Sequence, residues 1–355
     1  MINVLVVEDS RVIREYLVYL LETDPGIHVL GTADSGEAAI EFLASERPDV
    51  ILMDIYMPGI DGFETTRQIM TSHPVPIVVC TASTHFGQVH TAMHALEAGA
   101  LAVLKKPRGP DDADAEADAA SIITTVKLMS EVRVVRRWNR ARPGPAAGAI
   151  AVPPTFDIVG HDAAIVAIGA STGGPPAVFQ LLSGLSTAFP IPILLVQHIS
   201  AGFTAGFAEW LAAASGLPVH VTQGGETPLP GHVYVAADDH HLRVGPRGAL
   251  EMTQDAPQNG LRPSVGVLFR SVAERFGRRA IGVLLTGMGR DGAEELKLMA
   301  DRGALTVAQD EESSVVFGMP AEAIKLGAAR FILPPHRIAE LLTAVGRGCK
   351  AARDA

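Results

Sequence analysis

The stretch Ala163 to Gly174, AAIVAIGASTGG, constrains the fold more than any other. Ile165 to Ile168 is a short apolar run with the length and content of a buried strand. It ends at Gly169, and a helix is expected beyond Pro175 and Pro176, residues that a first helical turn tolerates. Ser171 lies between them, among neighbours too small to cover it: Ala170, Thr172, Gly173 and Gly174. Gly169 to Gly173 reads G-x-S-x-G, the pattern of a nucleophile held on a sharp strand-to-helix turn. The helix start supplies free N–H groups and partial positive charge where an oxyanion would form. Two other readings stay open here. The serine could only cap a helix, or the loop could bind phosphate, although G-K-[ST] and a full G-x-G-x-x-G are both missing.

The N-terminal part repeats the alternation of strand and helix. Ile2 to Val7 is an apolar run ending in Glu8 and Asp9, and a helical pattern follows from Arg11 to Glu22. His28 to Ala33 predicts a second strand and Gly36 to Ala44 a second helix. Asp49 to Met53 predicts a third strand ending at Asp54, and Pro76 to Cys80 a fourth ending at Thr81. Leu101 to Leu104 predicts a fifth, ending at Lys105 and Lys106. Such alternation implies a doubly wound parallel sheet, whose working crevice lies beyond the carboxyl ends of its strands. Glu8, Asp9 and Asp54 repel one another there unless a cation joins them. A hard divalent ion such as Mg2+ suits these oxygen ligands. It would neutralise an incoming phosphoryl group and leave Asp54 as a nucleophilic carboxylate. Thr81 would hydrogen-bond the new phosphoryl oxygens, and a lysine would pair with them.

VLVVEDS, PDVILMDIYMPGIDG, VCTAS and the KKP at Lys105 to Pro107 resemble the signature segments of response-regulator receiver domains. The resemblance implies that Asp54 is the phosphoacceptor and that Glu8 and Asp9 share the Mg2+ with it. It makes Thr81 the switch hydroxyl and Lys106 the lysine of the motif. One position departs from the pattern: Val103 stands where the fifth strand often carries an aromatic.

With 355 residues, 48% hydrophobic and 19% charged, the chain has the apolar content for two independent cores plus a linker. The net charge of -10 argues against a binder of nucleic-acid phosphates. Two cysteines, Cys80 and Cys349, make no disulfide framework and suit a reducing compartment. Without an apolar run of about 18 residues, and with a strand-like N-terminus, the chain is expected to be cytoplasmic with no membrane span. Ile122, Val126, Met129, Val132 and Val135 recur at helical spacing and predict a helix running to near Trp138. Arg133, Arg136, Arg137, Arg140 and Arg142 form a basic cluster there, read as a solvated face or an interdomain contact. Arg142 to Pro154 then reads as a Pro/Gly/Ala linker.

The second half offers two further strand-end groups. Ile191 to Val196 predicts a strand ending at Gln197 and His198, followed by a helix around Ala205 to Ala214. Ala280 to Leu285 predicts another, running into TGMGRDG with Asp291 at a helix start. Asp291 reads either as a simple N-cap or as the acid that orients His198. A hydroxyl, an imidazole and a carboxylate on three strand-end loops satisfy the role logic of a Ser-His-Asp hydrolase. The order Ser171, His198, Asp291 differs from that of α/β-hydrolases. Asp238, Asp239, His240 and His241 invite a metal reading, but alternation along a strand would turn neighbours to opposite faces. Arg262 to Ala273 is assigned to packing.

GASTGG, QHI, RPSVGVLFRSVA, LLTGMGRDGA and SSVVFGMPAEA resemble the catalytic domain of chemotaxis protein-glutamate methylesterases. These are receiver-linked enzymes that hydrolyse glutamyl methyl esters on chemoreceptors and deamidate receptor glutamines. The resemblance implies Ser171 as nucleophile, His198 as base and acid, and Asp291 as the orienting carboxylate. It offers the Met288 N–H as oxyanion donor and Thr172 as a neighbour of the site. The expected fold is two doubly wound parallel-sheet α/β domains, a flavodoxin-like receiver and a Rossmann-like catalytic domain. Their boundaries are 1–125 for the receiver, 126–160 for the helix extension and linker, and 161–350 for the methylesterase domain. The expected partners are a methylated chemoreceptor as substrate and a histidine kinase as phosphoryl donor. No nucleic acid is expected, and the membrane is met only through the receptor. Mg2+ serves the receiver alone, and the ester reaction needs no cofactor. The unphosphorylated receiver is expected to restrain the Ser171 crevice. The alternative is a phosphorylation-controlled signalling adaptor with little catalysis.

Overall fold

The computed structural model describes residues 1–81, 95–96, 98–109, 112, 115–132, 134 and 162–353. The chain divides into two compact units, Met1–Pro154 and Thr155–Ala355. No helix among the described residues is long and apolar enough to cross a membrane.

The first unit is built on five parallel strands: β1 (Ile2–Val7), β2 (Ile27–Ala33), β3 (Val50–Met53), β4 (Ile77–Thr81) and β5 (Ala102–Lys105). Their order is β2-β1-β3-β4-β5, the flavodoxin-like winding with its reversal between β1 and β3. The apolar runs become strands because helices cover both faces of the sheet, and β3 and β4 are buried along their whole length. The helices described from end to end are α1 (Arg11–Glu22), α2 (Gly36–Ser45), α3 (Gly62–Ser72) and α4 (Ala115–Ser130). The sequence patterns do not single out α3, because its core face carries Thr65 and Thr66 among the apolar residues. Both threonines are buried, and their hydroxyls donate to Asp61 O and Gly62 O one turn back, each at 2.7 Å.

The expected long helix is shorter than its spacing implied. Ile122, Val126 and Met129 are buried on α4, but the helix ends at Ser130 and Val132 lies beyond it. Val135, Trp138, the five clustered arginines and the linker to Pro154 lie outside the described residues.

The second unit carries a seven-stranded parallel sheet: β6 (Ile165–Ala170), β7 (Ile193–Gln197), β8 (Val219–Val221), β9 (Val233–Val235), β12 (Ala280–Leu284), β13 (Leu305–Gln309) and β14 (Phe331–Leu333). The antiparallel pair β10 (His241–Val244) and β11 (Leu250–Thr253) stands apart. The order β14-β13-β12-β6-β7-β9-β8 reverses at β6: the chain first winds outward over β7 and returns over β12. That reversal is the switch point at which such sheets open a crevice. The helices are α5 (Gly174–Ser183), α6 (Thr204–Ser215), α7 (Val265–Phe276), α8 (Ala293–Asp301), α9 (Met319–Lys325) and α10 (Pro335–Arg353). Leu268 and Phe269 of α7 pack with Leu284, Leu296 and Met299 in one buried core. A fully buried side chain of this kind contributes roughly 1.5–3 kcal/mol, so burial holds the strands and leaves their loops free for chemistry.

Helix α5 begins one residue before its two prolines, not beyond them. The first four N–H groups of a helix have no partner inside it, so Pro175 and Pro176 remove no hydrogen bond.

Candidate active site

Ser171, His198 and Asp291 follow β6, β7 and β12, the three central strands of the second sheet. The register brings the loops to one level: Ala170 pairs with Gln197, and Gly169 with Leu284. The ladder continues one step past the strands. His198 N–H donates to Ala170 C=O at 2.9 Å and Ser171 N–H to Thr286 C=O at 3.0 Å. Gly287 permits this approach, since a Cβ there would lie 2.7 Å from the Ser171 Cβ. Gly173 has φ +74 and sits under Val315, so the turn after the serine needs a glycine twice over.

His198 Nε2 lies 3.0 Å from Asp291 Oδ2, which leaves Nδ1 as the uncommitted ring nitrogen. Ser171 Oγ and His198 make no hydrogen bond, although their loops are joined by backbone. In free enzymes such contacts often tighten only when substrate is present. The Met288 N–H has no backbone partner among the described residues, while the neighbouring Gly287 N–H is taken by Val316 C=O at 3.0 Å.

Asp291 does not cap its own helix. The N-cap of α8 is Gly292, and the Asp291 carboxylate turns to the start of α7 instead. Oδ1 accepts from Ser264 Oγ at 2.8 Å and from Gly266 N–H at 3.1 Å, and Oδ2 accepts from Val265 N–H at 2.7 Å. Burial pushes the Asp291 carboxyl up, but His198 and the donors from Ser264 and Val265 outweigh it and hold the group below the usual carboxylate range. An ionised, fully hydrogen-bonded carboxylate at a helix N-terminus is what an orienting acid requires. This corrects the assignment of Arg262 to Ala273 to packing alone, because Ser264, Val265 and Gly266 hold the acid in place. Behind them, the buried His241 accepts the Ser264 N–H at Nδ1, 3.2 Å away.

Three further supports escaped the sequence patterns. Gln197 bonds the carbonyls of Ser171 and His198. Thr286 Oγ1 donates to Thr172 C=O at 2.9 Å, and buried Gln309 accepts the Thr286 N–H at 2.8 Å. Buried amides and hydroxyls at strand ends are the only signal that would have marked them. The residues weighed as metal ligands have other partners: Asp238 binds Gly202 N–H and the Thr204 hydroxyl, and Asp239 pairs with Arg262.

In the first unit, Glu8, Asp9 and Asp54 each present a carboxylate oxygen within 4.8 Å of the others. Lys106 Nζ lies 2.8 Å from Asp54 Oδ2 and 2.6 Å from Glu8 Oε2. Glu8 is buried, with its Oε2 against the Lys106 ammonium. Burial raises the Glu8 carboxyl, aided by the Asp54 charge and only partly offset by Lys106. Burial works against the Lys106 ammonium, but Asp54 and Glu8 outweigh it and raise its pKa. Three carboxylates faced by one ammonium leave unneutralised negative charge, and that charge with an all-oxygen donor set fits a hard divalent cation. Thr81 is buried at the end of β4, its hydroxyl without a partner among the described residues, and its carbonyl accepts the Lys106 N–H at 2.8 Å.

Residues 166–342 match the family model for CheB methylesterase, and residues 4–117 that for the response regulator receiver domain. A protein-glutamate methylesterase/protein-glutamine glutaminase of Nitrosospira multiformis is 53% identical over 97% of this chain and 96% of its own. A similarly named protein of Geobacter metallireducens is 49% identical over 97% of this chain and 99% of its own. The crystal structure of the Thermotoga maritima CheB methylesterase catalytic domain is 37% identical, with a TM-score of 0.50, and covers 52% of this chain and 98% of that one.

Proposed function

The chain belongs to the CheB methylesterase family, with a receiver domain ahead of the catalytic domain, and from that premise we propose how its residues act. It is a phosphorylation-regulated protein-glutamate methylesterase and protein-glutamine glutaminase. Its substrates are the methylated glutamates and the glutamines of a chemoreceptor. Residues 1–125 form the regulatory domain, 126–160 the connection and 161–350 the hydrolase.

Ser171 Oγ attacks the glutamyl carbonyl carbon, and His198 takes its proton at Nδ1 while Asp291 holds Nε2. The Met288 N–H faces the oxyanion, a contribution of about 3 kcal/mol for one well-placed donor. His198 returns the proton to the leaving oxygen and methanol departs. Water then cleaves the acyl-enzyme by the same route. A glutamine side chain follows the same path and releases ammonia. The observation that carries this reading is the Asp291–His198 contact of 3.0 Å on strands flanking the serine strand.

Asp54 is the phosphoacceptor, and a histidine kinase is the source of its phosphoryl group. Glu8, Asp9 and Asp54 would hold Mg2+, which supplies charge neutralisation for phosphoryl transfer. Lys106 pairs with the phosphoryl oxygens, and Thr81 supplies the buried hydroxyl that bonds them.

The test is methanol release from methylated receptor, with and without a small-molecule phosphoryl donor. The wild-type rate rises with donor, Asp54→Asn removes the rise, and Ser171→Ala releases no methanol above background. Full activity in Ser171→Ala would refute the serine mechanism, whereas no methanol release from the wild type with or without donor would leave the adaptor reading.

A further inference from the structure

We infer that Gln197 is a positioning residue for hydrolysis: its side-chain amide bridges the nucleophile and base loops and sets their spacing. The inference rests on the roles proposed above for Ser171 and His198. Gln197 ends β7, directly before His198, and is 4% exposed. Its Nε2 donates to Ser171 C=O and to His198 C=O, each at 2.8 Å. A carboxamide nitrogen has two hydrogens in a fixed plane, so both are used, one on each residue. Among the described residues no other side chain bonds both.

The sheet by itself does not make this link. Its last β6–β7 bond runs from His198 N–H to Ala170 C=O, one residue short of Ser171. Gln197 adds the next connection from a side chain. Its Oε1 is buried without a partner, against Gly174, where a Cβ would lie 2.2 Å away. Leaving a buried acceptor unpaired is unfavourable, so what the amide contributes lies in its two donors. Because Ser171 Oγ and His198 make no hydrogen bond in the free protein, the spacing of their loops decides how small a rotation closes the contact. Misplacement of reacting groups by about 1 Å costs rates on the order of 100-fold.

The test uses the full-length chain with phosphoryl donor present, read as methanol release from methylated receptor. Gln197→Met keeps the length of the side chain and loses both donors. Gln197→Glu keeps the shape and turns acceptors toward both carbonyls. In each, kcat is expected to fall roughly 10- to 100-fold with KM within about twofold of wild type. Ser171→Ala and His198→Ala are assayed beside them. In the His198→Ala background, adding Gln197→Met is expected to change the residual rate by less than about twofold, because no base remains to be positioned. A residue needed only for folding would lower that rate again by the full factor, and this result would overturn the inference. Wild-type kcat in Gln197→Met beside an inactive Ser171→Ala would also overturn it, while the serine mechanism stands. An active Ser171→Ala overturns the mechanism itself. If Gln197→Met melts below the assay temperature, Gln197→Asn, whose shorter amide cannot reach both carbonyls, carries the same expectations.

Discussion

Asp291 shows how one side chain serves two structures. Its carboxylate fixes the His198 ring and also receives the first N–H groups of α7. Its pKa is depressed in the fold. Stability from such a group is complete above the ordinary carboxylate value of about 4 and is lost as pH falls through the lower folded value. Asp291→Asn is therefore expected to lower Tm at pH 7, with the difference shrinking as pH falls below about 4. Thermal unfolding across that range checks this, and a pH-independent difference would refute it. Ser171→Ala is expected to lower kcat at least about 1000-fold, as for other residues that act as a unit in hydrolytic triads. Ser171 and His198 were legible because each closes an apolar run, and Asp291 because it stands at a helix start in the glycine-rich loop after one. Ser264 was not, because a serine before a helix reads as its own helix's cap. Its hydroxyl instead crosses to the acid.

At the level of elements, α7 turns from packing to chemistry. Its hydrophobic face sits in the core, while its N-terminus aims two N–H groups and the Ser264 hydroxyl at Asp291. Ser264→Ala removes a buried hydrogen bond to an ionised group, worth about 1.5–3 kcal/mol. We expect a loss of stability of that order in denaturant unfolding, together with a fall in kcat of about tenfold and little change in KM. Equal kcat in the variant would show that the backbone N–H groups suffice to orient the acid. The eight strands singled out in the sequence lie within a residue or two of the observed ones, since continuous burial leaves continuous apolar runs, but β8 to β11, β13 and β14 were not singled out. Helix α3 was not, because buried threonines that bond their own backbone break the apolar period.

Over the whole molecule, two units carry two chemistries, each at the carboxyl edge of its own sheet. Mg2+ is expected to raise the unfolding midpoint of the first unit, since a ligand bound only by the native state adds about 2.7 kcal/mol at 100 times its Kd. Calorimetry with and without Mg2+ checks this, and Asp54→Asn should diminish the shift. The sequence by itself determined the alternation of strand and helix, the two sheets and the loops that bear reactive groups, because burial and turn chemistry act locally. Only the tertiary structure decided which loops are neighbours. Strand order places β12 beside β6, although more than a hundred residues separate them. No local pattern encodes that pairing, nor the buried amides and hydroxyls that hold one loop against the next.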